Sequence, residues 1–238
     1  MPMSGSPSDT LSAVPGVAVG HAEVAGGDSG CTVVLGPFRG VVEVRGLATG
    51  TRELGTLEPT HLVRVVDAVL LSGGSAFGLA AAEGVVEWLE AEGRGFDAGV
   101  ARVPVVPAAV IFDLAEGRAR PSRREGRAAC DAAAGAVSGA PVSTGRVGAG
   151  SGATVGKMGG AALAVPGGFG SAAVAAGQWT VGAAAVVNCV GSVRRSDGET
   201  VAGPRGSDGT WTDGEAILLA GLEDGLSSGD GGGPVSYT

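Results

Sequence analysis

Between Val65 and Glu92 the pattern of apolar and polar positions changes its period without a break. Val65 to Leu71 is apolar except at Asp67, as suits a strand covered on both faces. Ser72-Gly73-Gly74-Ser75 then interrupts the run. From Ala76 the spacing is helical: Leu79, Ala82, Val86 and Leu89 share one face, while Glu83, Glu87 and Glu90 share the other. Ser75 stands where an N-cap is expected and Gly93 where a C′ residue would stop the helix.

Other segments read as short elements around this one. Val14 to Ala22 alternates, and Cys31 to Leu35 is a second strand. Gly40 to Gly46 reads as a third, joined to it through Gly36-Pro37-Phe38-Arg39-Gly40 as a hairpin. Residues 103–114 read as extended, with Pro104 and Pro107 confining pairing to the later half. Ser122 with Glu125 forms a capping box opening a second helix through Cys130 to about Ala136. Gly145 to Gly160 is a glycine loop, and strands are expected at 161–165, 170–176 and 179–193, with turns at Gly167-Gly168 and Gly177-Gln178. Residues 1–11 have the composition of a disordered tail, 12–223 show no internal boundary, and 224–238 resemble a flexible linker. Antiparallel-looking strand groups with two helices between them predict an α+β fold, with sandwiched sheets and helices outside.

Composition narrows the classes. Forty-six glycines among 238 residues, 44% hydrophobic but only 4% aromatic, imply many tight turns and a core of Ala, Val and Leu. A net charge of −8 argues against nucleic acid and anionic membrane surfaces, because phosphate binding rests on clustered Lys and Arg. The arginines from Arg118 to Arg127 are interrupted by Pro121, Ser122, Glu125 and Gly126 and read as a solvated helix start. Cys31, Cys130 and Cys189 are far apart without C-x-x-C spacing, so a reduced, buried set in a cytoplasmic protein is expected, with no metal and no cofactor. The N-terminus lacks the basic and apolar regions of a signal peptide, and no apolar run is long enough for a membrane span.

Chemistry has three candidate locations. A strand that ends at Gly73, Gly74 and Ser75 before a helix gathers backbone N–H groups suited to an oxyanion, with an ordinary strand-to-helix turn as the alternative. Gly73-Gly74-Ser75-Ala76-Phe77 falls short of a hydrolase nucleophile elbow, because Phe77 replaces the second glycine. In the glycine loop, Met158 after Gly156-Lys157 defeats a phosphate-loop reading, and no strand precedes Gly148-Ala149-Gly150 as a dinucleotide site requires. Lys157, set among small residues, is either a partly desolvated cation acting on a carboxylate or oxyanion, or a solvated loop lysine. Asn188, inside an apolar run, is either a satisfied core amide or an oxyanion donor at a strand end. With only His21 and His61 available, a histidine triad is not supported by spacing.

Seven ordered motifs carry a resemblance. They are Gly16-Val17-Ala18-Val19-Gly20-His21, Gly30 to Leu35, Gly50-Thr51-Arg52-Glu53, Leu71 to Leu79, Val106 to Asp113, Gly148 to Lys157, and Val187-Asn188-Cys189-Val190-Gly191. Together they resemble the DmpA/L-aminopeptidase D-esterase family of aminopeptidases, β-peptidyl aminopeptidases and nylon-oligomer hydrolases. The resemblance implies an αββα sandwich like that of ornithine acetyltransferase, and a precursor that cleaves itself into α and β portions. The new N-terminal Ser or Thr of the β portion is then the nucleophile and its own α-amine the base. The resemblance implies that Asn188 matches the family's oxyanion-side asparagine and Lys157 the lysine found near the nucleophile in some members; Gly73, Gly74, Ser75 and Phe112 are expected at the substrate, with Phe112 where some members have tyrosine. The expected partners are a small peptide, amide or ester, the β portion, and further copies in a homo-oligomer. The sequence resembles an α portion; a non-catalytic binding protein on the same fold and an acyltransferase are the alternatives.

Overall fold

In a computed structural model, residues 10–221 are described apart from 138, 215 and 218, so the linker-like 224–238 and tail residues 1–9 lie outside the described residues. Thr10 and Leu11, assigned to the tail, are folded: Thr10 is buried, and the Leu11 N–H donates to Ser171 Oγ at 2.6 Å.

The chain forms β1 (Ala18–Glu23), β2 (Gly30–Phe38), β3 (Thr51–Arg52), β4 (Val66–Ser72), α1 (Ala81–Ala91), β5 (Phe96–Asp97), β6 (Arg102–Val103) and β7 (Ala108–Val110). It continues with α2 (Arg123–Gly135), β8 (Thr154–Val155), β9 (Val165–Pro166), β10 (Gly168–Ala176), β11 (Trp179–Val187), β12 (Val193–Arg194) and β13 (Thr200–Ala202). Residues 214, 216–217 and 219–221 are helical as well. One sheet has the order β1-β2-β4-β7-β3, antiparallel except for the β4–β7 pair.

Strand alternation decides what this sheet buries. Cys31, Val33 and Leu35 of β2, in register with Ser72, Leu70 and Ala68 of β4, form one core with Ala81, Ala82, Val85, Trp88 and Leu89 of α1 and Ala129, Cys130 and Ala133 of α2. The buried face of α1 is thus one step round from the expected one, leaving Val86 at its margin. The two helices cross at glycines. An added Cβ at Gly84 would lie 2.0 Å from Arg123 O, and one at Gly126 1.9 Å from Ala81 O, so only glycine allows this approach. Trp88 Nε1 donates across the same crossing to Asp131 Oδ1 at 2.7 Å.

The α2 capping box forms as read. The Ser122 N–H donates to Glu125 Oε2 at 2.9 Å, and Arg124 Nε donates to Oε1 at 2.8 Å. Burial of Glu125 alone would raise its pKa; these bonds and the Ser122 hydroxyl outweigh that and hold it below the ordinary carboxylate value. Gly93, at φ +67°, ends α1 as expected. Asp67, the polar residue in an apolar strand, accepts the Val105 N–H at 2.9 Å and so ties β4 to the segment whose prolines interrupt its pairing.

Three expectations are corrected. Gly40 to Gly46 is not a strand, and Val41 is 83% exposed: both edges of β2 are already occupied by β1 and β4, leaving no place for a hairpin partner. Ser75 does not cap α1; at φ +52° it opens a 3-10 turn, Ser75–Ala80, and α1 starts at Ala81. Of the strands expected at 161–165 and 179–193, the first is reduced to β9 and the second is broken after Val187.

A second β layer is the β10–β11 hairpin, closed by Gly177-Gln178. The 3-10 turn Gly148–Gly150 lies between this hairpin and β1 and β2. His21 of β1 meets Phe169 of β10 edge-on, with ring centroids 4.9 Å apart. Its Nδ1 pairs with Thr32 Oγ1 at 2.9 Å, and that oxygen accepts the Ala149 N–H at 3.0 Å. Burial lowers the His21 pKa in spite of the Glu23 carboxylate, so this histidine belongs to packing between the layers.

Candidate active site

The break after β11 has a physical cause. Asn188 turns both of its carbonyls onto Lys157, whose Nζ lies 2.9 Å from Asn188 Oδ1 and 2.9 Å from Asn188 O. Gly156, at φ +80°, reverses the chain just ahead of Lys157, and a Cβ there would sit 2.2 Å from Pro204 N. The ammonium is completed by Thr154 O at 2.8 Å and Thr154 Oγ1 at 3.3 Å. Lys157 is therefore an anchored cation, not a solvated loop lysine. Burial pulls its pKa below the ordinary lysine value, against the opposing influence of Cys189 and Asp113.

The Asn188 amide can be oriented from its partners. Oδ1 faces two donors, Lys157 Nζ and the Thr154 N–H at 3.0 Å, while Nδ2 donates to the Phe112 carbonyl at 3.1 Å. A flipped amide would set N–H groups against both donors, so only one orientation fits.

The next residue extends this network. Asp113 is 6% exposed; its Oδ1 accepts the Gly74 N–H at 2.6 Å and its Oδ2 the Ser29 hydroxyl at 2.8 Å. A Cβ at Gly73 or Gly152 would come within 2.4 Å and 2.3 Å of the same Oδ2. Two glycine segments distant in sequence thus close on one carboxylate. A continuous bonded path runs from Gly74 through Asp113 and Phe112 to Asn188 and Lys157.

The sequence candidates separate into groups. Lys157 and Asn188 are in direct contact. Gly73 and Gly74 are buried, and the amides of this turn are engaged: Gly73 N–H on Gly30 O, Gly74 N–H on Asp113, Ser75 N–H on Ile111 O. The N–H groups of Gly73, Gly74 and Ser75 are therefore already taken by the protein's own acceptors. Ser75 and Phe112 line a cavity of about 220 Å³ with Thr49, Gly50 and Val110. Lys157 lines a different one, of about 310 Å³, with Arg118, Arg146 and Thr154. Asp113, Thr154 and Arg146 were not singled out from sequence, and Arg118, read there as part of a solvated helix start, lies ahead of α2 and donates to the Asp113 carbonyl at the cavity wall; Asp113 carried a signal, as the charged residue ending the apolar run Val110-Ile111-Phe112.

Cys31 and Cys130 are buried and Cys189 is half-buried, and all three are free thiols. Burial pushes the Cys130 thiol up to about 12 and Cys31 higher still, which makes both poor nucleophiles. Among the described residues no group of three or more His, Cys, Asp or Glu could hold a metal ion, and no helix is long and apolar enough to cross a membrane.

Comparison with known proteins places the chain in a family. The chain is 44% identical over 208 residues to an uncharacterized aminopeptidase of Mycobacterium leprae, covering 81% of this chain and 56% of the relative. It is 36% identical over 148 residues to the 6-aminohexanoate-oligomer endohydrolase of Kocuria sp., covering 60% of this chain and 38% of the relative. The chain spans about half the length of the curated aminopeptidases it matches, 54% to 56%. Among solved structures, the L-aminopeptidase D-Ala-esterase/amidase of Ochrobactrum anthropi, described as a variant of the Ntn hydrolase fold, superposes with a TM-score of 0.54 at 21% identity over 79% of this chain and 56% of that one. That likeness establishes the shared α+β fold. The sequence profile of peptidase family S58 matches residues 9–213, and this chain belongs to that family.

Proposed function

We propose that this chain is the α portion of an N-terminal-nucleophile hydrolase that removes N-terminal residues from short peptides, amides or esters. The nucleophile is the N-terminal Ser or Thr of a β portion. Its hydroxyl oxygen attacks the substrate carbonyl while its own α-amine takes the hydroxyl proton. The C–N bond then breaks, the departing amine receives that proton, and water hydrolyses the resulting ester. For an ester substrate the C–O bond breaks in the same step.

The observation that carries this reading is the Lys157–Asn188 pair. One Asn188 N–H holds the Phe112 carbonyl, which orients the amide, and the other is assigned to the oxyanion. Lys157 fixes the opposite side of that amide and places positive charge beside the developing negative charge. Membership of family S58 and the aminopeptidase relatives, which are longer than this chain, support the same assignment.

Intact mass spectrometry of the whole gene product, combined with release of nitroaniline from aminoacyl p-nitroanilides, tests it. The expected result is a copurifying polypeptide that begins with Ser or Thr, together with turnover. A single chain without hydrolysis of peptides, amides or esters would remove the assignment.

A further inference from the structure

The cavity beside Lys157 has a charge character opposite to that of the chain. The protein carries a net charge of −8, yet the cavity of about 310 Å³ is lined by Lys157, Arg118 and Arg146, and among the described residues no acidic side chain lines it. Its remaining wall is small or apolar, including Ala153, Val165 and Pro166.

Both arginines are held by main-chain carbonyls. Arg118 Nη1 donates to Asp113 O at 2.6 Å, and Arg146 Nε donates to Ser151 O at 3.1 Å. Each bond fixes one edge of a guanidinium and leaves other N–H donors of the fork for a planar anion. Among the described residues neither arginine forms an ion pair, although seven such pairs occur elsewhere on the chain. The Arg118 anchor is also the carbonyl of Asp113, the residue that braces Gly74, so this cation is tied to the same framework as Asn188.

A cavity of this size is at the small end for ligand sites and suits a single amino-acid residue with its end group. We propose that Arg118 and Arg146 form a carboxylate-binding subsite that receives the free α-carboxylate of the C-terminal residue that departs as the amine on cleavage. This rests on the hydrolase reading above and deepens it, because it makes short peptides with a free C-terminus the preferred substrate class over their amides. The apolar wall accommodates the side chain of that residue, and Lys157 lies between the subsite and Asn188.

Calorimetric binding of N-acetyl-alanine and of N-acetyl-alanine amide to the whole gene product tests the subsite without turnover. Their acetyl amide stands for the cleaved bond and their alanine for the released residue. The carboxylate is expected to bind about tenfold or more tightly than the amide. That preference should fall to within about twofold in an Arg118→Gln/Arg146→Gln variant and survive in part in Arg118→Lys/Arg146→Lys, which keeps the charges. Equal binding of the two probes, binding of neither, or a preference untouched in the Gln variant would overturn the proposal. A clear carboxylate preference in a protein that hydrolyses nothing would leave the subsite standing and remove the hydrolase reading; hydrolysis without the preference would do the reverse.

Discussion

Lys157 Nζ sits 2.9 Å from Asn188 Oδ1, and the same ammonium is 2.9 Å from Asn188 O, so one cation holds both the side chain and the main chain of the proposed oxyanion residue. Because burial depresses the Lys157 pKa, its charge is lost at a pH below the 10.5 of an ordinary lysine. Activity that needs this cation should therefore decline on the alkaline side before pH 10.5. Lys157→Arg should carry that limb to higher pH even if its rate is lower, as pH–rate profiles of the two proteins would show. Stability should move in the opposite direction. Between the depressed folded pKa and 10.5 the unfolded chain binds more protons, so stability rises with pH through that window, and Lys157→Met should lose the rise.

Asp113 organises two glycine segments at once. Asp113→Ala would leave the Gly74 N–H and the Ser29 hydroxyl without their acceptor and should cost about 2–3 kcal/mol in denaturant unfolding. Asp113→Asn, which keeps the shape and one acceptor oxygen, should lose less.

At the helix crossing, Gly126→Ala places a methyl group 1.9 Å from Ala81 O. The helices must move apart, and the expected loss is about 1–3 kcal/mol, seen as a lower thermal midpoint. Gly135→Ala, on the same helix with nothing within 4 Å of the added Cβ, should be neutral or mildly stabilising.

His21 predicts a separate acid dependence. Its folded pKa lies below the unfolded 6.5, so its stability contribution is complete above pH 6.5 and is lost as pH falls through the folded value. Denaturant midpoints measured between pH 7.5 and pH 5 should fall in the wild type and fall less in His21→Phe. Glu125, also depressed, adds its own loss only at lower pH, below its ordinary 4.5.

Local signals were legible in the sequence. The Ser122–Glu125 box, the Gly93 stop and the Gly177-Gln178 turn each depend on residues within a few positions, and each formed where it was read. The Gly40–Gly46 strand was misread because its fate depends on whether β2 has a free edge, which is a property of the whole sheet. Ser75 was misread because the chain leaves the glycine turn through a 3-10 segment, Ser75–Ala80, with Ser75 itself at φ +52°, so the α-helix begins only at Ala81. At the site, Lys157 and Asn188 stood out as polar residues in small or apolar surroundings. Arg118 and Arg146 did not, since nothing local shows that loops on either side of α2 bring them to one cavity.

The most direct measurement of the central claim is the acylation rate of an Asn188→Ala variant of the whole gene product, followed by single-turnover kinetics on an aminoacyl p-nitroanilide. Loss of one oxyanion donor predicts a fall of about 10²-fold or more. An unchanged acylation rate would contradict the role assigned to Asn188 and, with it, the catalytic reading of the Lys157–Asn188 pair.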